Sequence, residues 1–150
     1  MLNLLLALQI FHVVFLLLHD WIPLGPLNNP AAIRAEHSTG KILLGSLIST
    51  LPFLIALACS LHFLHRRWPH WLFIFLWIAY LFLFMGELEA WWAPWFGRAT
   101  KPERLASYER MFGTTHAFLP ARNGIRINTL HIILHTATVA TLIVLFILTI

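Results

Sequence analysis

The sequence predicts an all-α membrane protein: four transmembrane helices in a bundle, with a short interfacial helix in the long loop between helices 3 and 4. Three observations lead there. Of 150 residues, 59% are apolar and only 11% are charged, against about 25% charged in an ordinary soluble domain. The mean hydropathy is +0.78, and a soluble core of this size would leave a large apolar surface in water. The apolar residues also gather into four runs, near 2–19, 41–64, 70–92 and 129–150. Each approaches the ~20 residues that cross a bilayer as a helix at ~1.5 Å per residue. No segment alternates apolar and polar residues, which excludes a membrane barrel. We read residues 1–150 as a single integral membrane domain.

Each run has to be helical, because lipid offers free backbone N–H and C=O groups no partner. The first run is short but apolar. It lacks a basic n-region and a small-x-small cleavage site, so we expect an uncleaved span. The first loop, 20–40, is rich in Pro and Asn, and its spacing predicts a short helix with Asn29 as cap and Pro30 at the first position. The second run contains Pro52, which removes a donor and frees the Ile48 carbonyl. A kink is expected there, with Ser46, Ser49 or Thr50 filling the gap. Gly45 and Ser46 allow close helix approach. The loop after it, 65–69, is tight and carries Arg66 and Arg67.

The third run holds Glu87 and Glu89, which point to opposite sides of the helix. Glu87 shares its face with Tyr80, Phe84 and Trp91. The run Trp91-Trp92-Ala93-Pro94-Trp95-Phe96-Gly97 reads as an interfacial anchor. The last loop, 93–128, contains Thr100-Lys101-Pro102-Glu103, which fits a capping box. Leu105, Tyr108, Met111 and Phe112 then fall on one side of a helix ended by Gly113, as in a helix lying on a bilayer surface or covering the bundle mouth. The fourth run carries His131 and His135 on the face of Asn128 and Thr138, and is otherwise almost entirely apolar.

The formal charge is +4 with a pI near 10.0, but no basic stripe is long enough for nucleic acid. The basic residues lie between apolar runs, where they set topology and meet lipid headgroups. Arg34, Lys41, Arg98, Lys101, Arg104, Arg110, Arg122 and Arg126 fall on the long-loop side, and only Arg66 and Arg67 on the other. This bias predicts cytoplasmic long loops, with both termini outside. The blocks 115–120, Thr-His-Ala-Phe-Leu-Pro, and 128–131, Asn-Thr-Leu-His, resemble stretches of small bacterial membrane proteins. The resemblance implies a plasma (inner) membrane location and no particular activity. Cys59 is the single cysteine, so no intrachain disulfide and no cysteine metal site can form.

Ionisable groups at membrane depth are costly and point to function. His12, His19, Glu87, His131 and His135 can all reach one level near the long-loop boundary, and Asp20, Arg34, His37, Glu89, His116 and Arg122 could roof that pocket or hold headgroups. Several chemistries follow. His131 and His135, four apart, with Glu87 and His12 or His19, supply the N/O set that suits Zn²⁺ or non-haem iron. An open position would make it hydrolytic or oxidative. His12 with His131 or His135 could hold haem b. A Glu–His hydrogen-bonded network could instead simply tie the helices together. Around the short loop, His62, His65 and His70 suit headgroup contact. Ser38-Thr39-Gly40-Lys41 lacks the upstream glycine of a phosphate loop, and no Gly-x-Ser-x-Gly elbow is present. The expected role is a binding or accessory membrane component. Its partners are lipids, a second copy or a larger membrane protein, and not nucleic acid. A metal-dependent membrane enzyme acting on a lipid or other small amphiphile is the alternative, and an oligomeric proton-coupled transporter using Glu87 a further one.

Overall fold

The structure is a computed structural model that describes all 150 residues. It is all-helical, with a single isolated β-bridge between Arg122 and Ile125. We label the helices α1 (Leu2–Leu18), α2 (Pro30–Glu36), α3 (Thr39–His62), α4 (His70–Trp95), α5 (Pro102–Phe112) and α6 (Thr129–Thr149). Three of them, α3, α4 and α6, are long and apolar enough to cross a membrane, which marks a membrane protein. The remaining apolar helix, α1, has 17 residues, about 25 Å against a hydrocarbon core of about 30 Å.

Helix α1 packs against α3 and α6, and α4 packs against the same two, so the four apolar helices close a ring. Its core is built from Leu5, Phe15, Phe53, Leu72, Tyr80 and Leu145, among others. The surface inverts the pattern of a soluble protein. Ile48, Ile78 and Phe82 point outward, Phe82 82% exposed, while Gln9, His12, Ser60, Glu87, Thr138 and Thr141 are buried. A polar side chain inside a helix ring finds partners that lipid cannot offer, and an apolar one outside loses nothing there.

Local signals explain most boundaries. Asn29 caps α2 as expected, its Oδ1 accepting from the Ala32 N–H, with Pro30 at the first position. Ser38 and Asn128 cap α3 and α6 in the same way. Asn28, buried in the preceding turn, accepts from the Leu24 N–H and donates to the His19 and Ile22 carbonyls. The capping box at Thr100 does not form. Lys101 is the N-cap of α5, and the Thr100 hydroxyl turns back to the Arg98 carbonyl. Helix α3 runs unbroken through Pro52, with Ser49 donating to the Ser46 carbonyl rather than to Ile48.

Helix α4 departs from regularity where it matters most. Residues Leu88–Trp92 form a π-helical turn, and Pro94 follows. Pro94 has no N–H to return to Ala90. The Ala90 carbonyl accepts instead from the Tyr108 hydroxyl and the Arg104 guanidinium on α5, each at 3.2 Å. Gly97, at φ +117°, then turns the chain away. Helix α5 is thus bolted across the long-loop end of the ring, with Met111 packed on Ile33 and Ile42. The tight turn over 122–125 uses Asn123 and Gly124, both at positive φ.

An ion pair locks α5 to α2. The Arg110 guanidinium donates to both carboxylate oxygens of Glu36, at 2.5 and 2.8 Å, and the Ser107 hydroxyl adds a third bond. Arg110 holds the Glu36 carboxyl down, from its ordinary 4.5 to about 2. A depressed carboxyl stabilises the fold above its ordinary value, and that contribution fades as pH falls toward the folded value. The α2–α5 clamp is therefore expected to loosen between about pH 4.5 and about pH 2. Amide-exchange protection of 102–112, corrected for intrinsic rates, checks this. Glu36→Gln should lower protection at neutral pH and remove the acid dependence.

Candidate functional site

The site begins with the π-helical turn of α4. One extra residue in the turn shifts the helix phase, so the adjacent Trp91 and Trp92 both face α6. Trp91 is buried with its ring 4.3 Å from that of His131. The Trp92 indole N–H donates to His135 Nδ1 at 3.0 Å. The tryptophan run expected to be a membrane anchor therefore turns two of its rings inward. Trp95 donates to the Pro120 carbonyl, with Arg122 stacked over its ring at 5.2 Å.

Deeper in the ring lies a hydrogen-bonded chain across three helices. The Thr138 hydroxyl on α6 lies 2.7 Å from Glu87 Oε1 on α4 and 3.1 Å from His12 Nε2 on α1. His12 Nδ1 lies 2.7 Å from the Leu8 carbonyl. His12 is 0% exposed and Glu87 5%. Tyr80 sets its ring edge-on to His12 at 5.0 Å, and Phe53 lies against the imidazole at 6.2 Å. Further along α1, the Gln9 amide donates to Ser60 on α3 at 3.0 Å. Several buried polar atoms in this seam have no partner, among them Glu87 Oε2, His135 Nε2 and the Tyr80 hydroxyl.

The level above is closed by rings. Asn128 Oδ1 accepts from both the backbone N–H and the Nδ1 of His131. Phe112 and His19 then pack edge-on to the His131 ring at 5.3 and 6.0 Å. His19 Nδ1 bonds the Phe15 carbonyl, and its Nε2 meets Asp20 at 3.2 Å. Beside them a groove of about 410 Å³ opens between α1 and α3, lined by His19, Asp20, His37, Lys41 and Ser46.

The set expected from the sequence is thus divided between two levels. Glu87 and His12 meet through Thr138, and His135, one turn away on α6, stands between the levels with its ring 6.3 Å from that of His131. His131 and His19 belong to the mouth. No three His, Cys, Asp or Glu side chains are arranged to hold a metal ion, and both nitrogens of His12, the residue expected to pair across a haem, are in hydrogen bonds. The proposed roof is dispersed as well. Arg34 lies exposed on α2 and donates to the Pro30 carbonyl, His116 bonds the Thr129 hydroxyl, and Arg122 sits on Trp95. Glu89 pairs with Arg98 at the surface.

Thr138 and Trp92 are the members that residue-type reasoning left out of the candidate site. Thr138 was visible on the His131/His135 face, and Pro94 was the signal for the irregular turn that brings Trp92 inward. Comparison with protein-family models, with curated proteins and with solved structures finds no match.

Thr138→Val should strand both Glu87 and His12, at about 1–3 kcal/mol for each orphaned polar group. Thr138→Ser keeps the hydroxyl and should cost about 1 kcal/mol for the lost methyl group. Unfolding in mild detergent, followed by tryptophan fluorescence, separates the two. Equal losses for Ser and Val would show that the hydroxyl is not what joins the helices.

Proposed function

We propose that the chain is a small polytopic membrane protein acting as a binding or accessory component through the buried His/Glu site near its long-loop end. The observation that carries this is the placement of Glu87, His12 and His135 inside apolar helices. Such groups are expensive at membrane depth and are seldom kept without a use. The same reading makes α1 a fourth span, completing a four-helix bundle in a bacterial inner membrane. On its polar inner face His12 and the Gln9 amide nitrogen find partners within the ring, and a slightly thinned bilayer accommodates its length. Helix α5 then lies at the interface, its apolar side on the bundle mouth and Lys101 and Glu103 toward water. The excess of basic residues on the long loops places them in the cytoplasm. The partners are lipids, a second copy or a larger membrane protein.

The orientation is tested by fusions after Ile150 and within 65–69. Alkaline phosphatase should be active at both, because the short loop and the C-terminus share the outer face in a four-span chain. Inactivity at either would overturn the assignment. The binding role is tested by native mass spectrometry of gently extracted protein. A lipid, protein or second copy should be retained by the wild type and reduced at least severalfold in Glu87→Gln and His135→Ala, with the helices still folded. Equal retention in all three would overturn it. A near-stoichiometric metal lost in Glu87→Gln would favour a metal-dependent enzyme instead.

A further inference from the structure

The hydrogens around Thr138 can be counted. A carbonyl oxygen carries none, so the 2.7 Å contact between His12 Nδ1 and the Leu8 carbonyl puts a hydrogen on Nδ1. His12 Nε2 is then a lone pair in the neutral ring and an N–H in the imidazolium. Thr138 offers one hydrogen and two lone pairs. Its oxygen is 2.7 Å from Glu87 Oε1, 3.1 Å from His12 Nε2 and 3.1 Å from the Leu134 carbonyl.

Three occupancies of the Glu87–His12 pair can be compared. With no proton on the pair, a carboxylate and a neutral imidazole compete for the one Thr138 hydrogen. One of them faces a lone pair at hydrogen-bond distance, and a buried anion is left uncompensated. With two protons, both groups donate to Thr138, which turns its own hydrogen to Leu134. Every bond is then made, but a net positive charge is buried with no counter-ion facing it. With one proton the cluster is neutral and both Glu87 and His12 are hydrogen-bonded to Thr138, whose own hydrogen then turns from Leu134 to one of them, in two arrangements that differ only in where hydrogens sit.

We propose that Glu87 and His12 share a single proton through the Thr138 hydroxyl, so that the three residues form a proton relay between α4 and α1. In the forward step the Glu87 Oε1–H bond breaks as a new Thr138 Oγ1–H bond forms. The original Thr138 Oγ1–H bond breaks as His12 Nε2–H forms. Carboxylic acid and neutral imidazole become carboxylate and imidazolium, no electrons change hands, and the reverse step restores the start. The ligand of the proposed site is thus a proton, and the inference rests on reading that site as the working part of the molecule.

The surroundings suit an exchange of this kind. From α6, His135 lies one turn from Thr138. Its Nδ1 accepts from Trp92, so its hydrogen is on Nε2, a buried donor without a partner. Glu87 Oε2 is a buried acceptor without a partner on the neighbouring helix. From α4, Tyr80 presents its hydroxyl-bearing ring to His12. From α3 comes Phe53, with no titratable group among that helix's buried residues. On α1 itself, the neighbour is Gln9, held by Ser60.

The experiment uses the full chain in lipid vesicles, with ¹⁵N NMR of His12 and infrared difference spectroscopy of Glu87. Near neutral pH the wild type should show one proton on the pair. Either Glu87 gives a carboxylic-acid band, lost in Glu87→Gln, with His12 neutral and protonated on Nδ1, or Glu87 is ionised with His12 an imidazolium. A mixture of these two also totals one. Thr138→Val should shift both the band and the Nε2 signal, and Thr138→Ser should return both to their wild-type positions. A total of zero or two protons in the wild type overturns the relay, as does a Val variant that moves one signal without the other. If the total is zero or two and Glu87→Gln still releases the retained partner, the relay fails and the binding role stands. If the total is one and retention is unchanged, the relay stands and the binding role fails.

Discussion

A carboxyl group inside a ring of apolar helices has to find a partner within that ring, and at Glu87 the partner is a single hydroxyl. Thr138 faces Glu87 on α4 and His12 on α1 at hydrogen-bond distance. Three of the four ring helices therefore meet at one oxygen atom. Apolar packing between the helices is non-directional and would tolerate rotation of any of them. The Thr138 contacts are directional and specify which face of each helix points inward. The neighbouring bonds, Gln9 to Ser60 and Trp92 to His135, set α3 and the end of α4 by the same means.

The irregular end of α4 depends on that geometry and completes it. Two successive tryptophans of its π-helical turn meet α6, and the proline that follows frees the Ala90 carbonyl as an anchor for α5. The helix that covers the bundle mouth is thus held by a backbone group that a regular α4 would have kept for itself. Its far side is held by Glu36 and Arg110, whose charges face water and can be titrated without disturbing the seam below. Cover and seam are built from different interactions and should respond to different conditions.

Much of the fold was legible from residue order. The apolar runs lie within a few residues of α1, α3, α4 and α6, and Asn29-Pro30 marked the start of α2. The apolar side of α5 was readable at Leu105, Tyr108, Met111 and Phe112, whereas its capping box was not formed. A Thr at that spacing is only permitted to cap, and here its hydroxyl found the Arg98 carbonyl instead. The candidate site was legible in part. Glu87, His12 and His135 were identifiable as ionisable groups at depth. That Glu87 and His12 would meet apart from His131 and His19 was not, because helix-face arithmetic gives an angle and a rough depth but no side-chain direction. Arg34, His116 and Arg122 show the same shortfall, since loop residues have no periodicity to place them.

The sequence by itself determined the solvent of this protein, its helices and the residues that lipid could not accommodate. Those follow from composition and spacing, since transfer into lipid and backbone hydrogen bonding act on each segment alone. Tertiary structure decided which of those residues meet. The pairing of Glu87 with His12 joins residues half the chain apart and passes through Thr138, a residue unremarkable in sequence. It exists only because α1, α4 and α6 pack against one another at one rotation and one depth. The same packing turned Trp91 and Trp92 from the expected membrane boundary toward the interior.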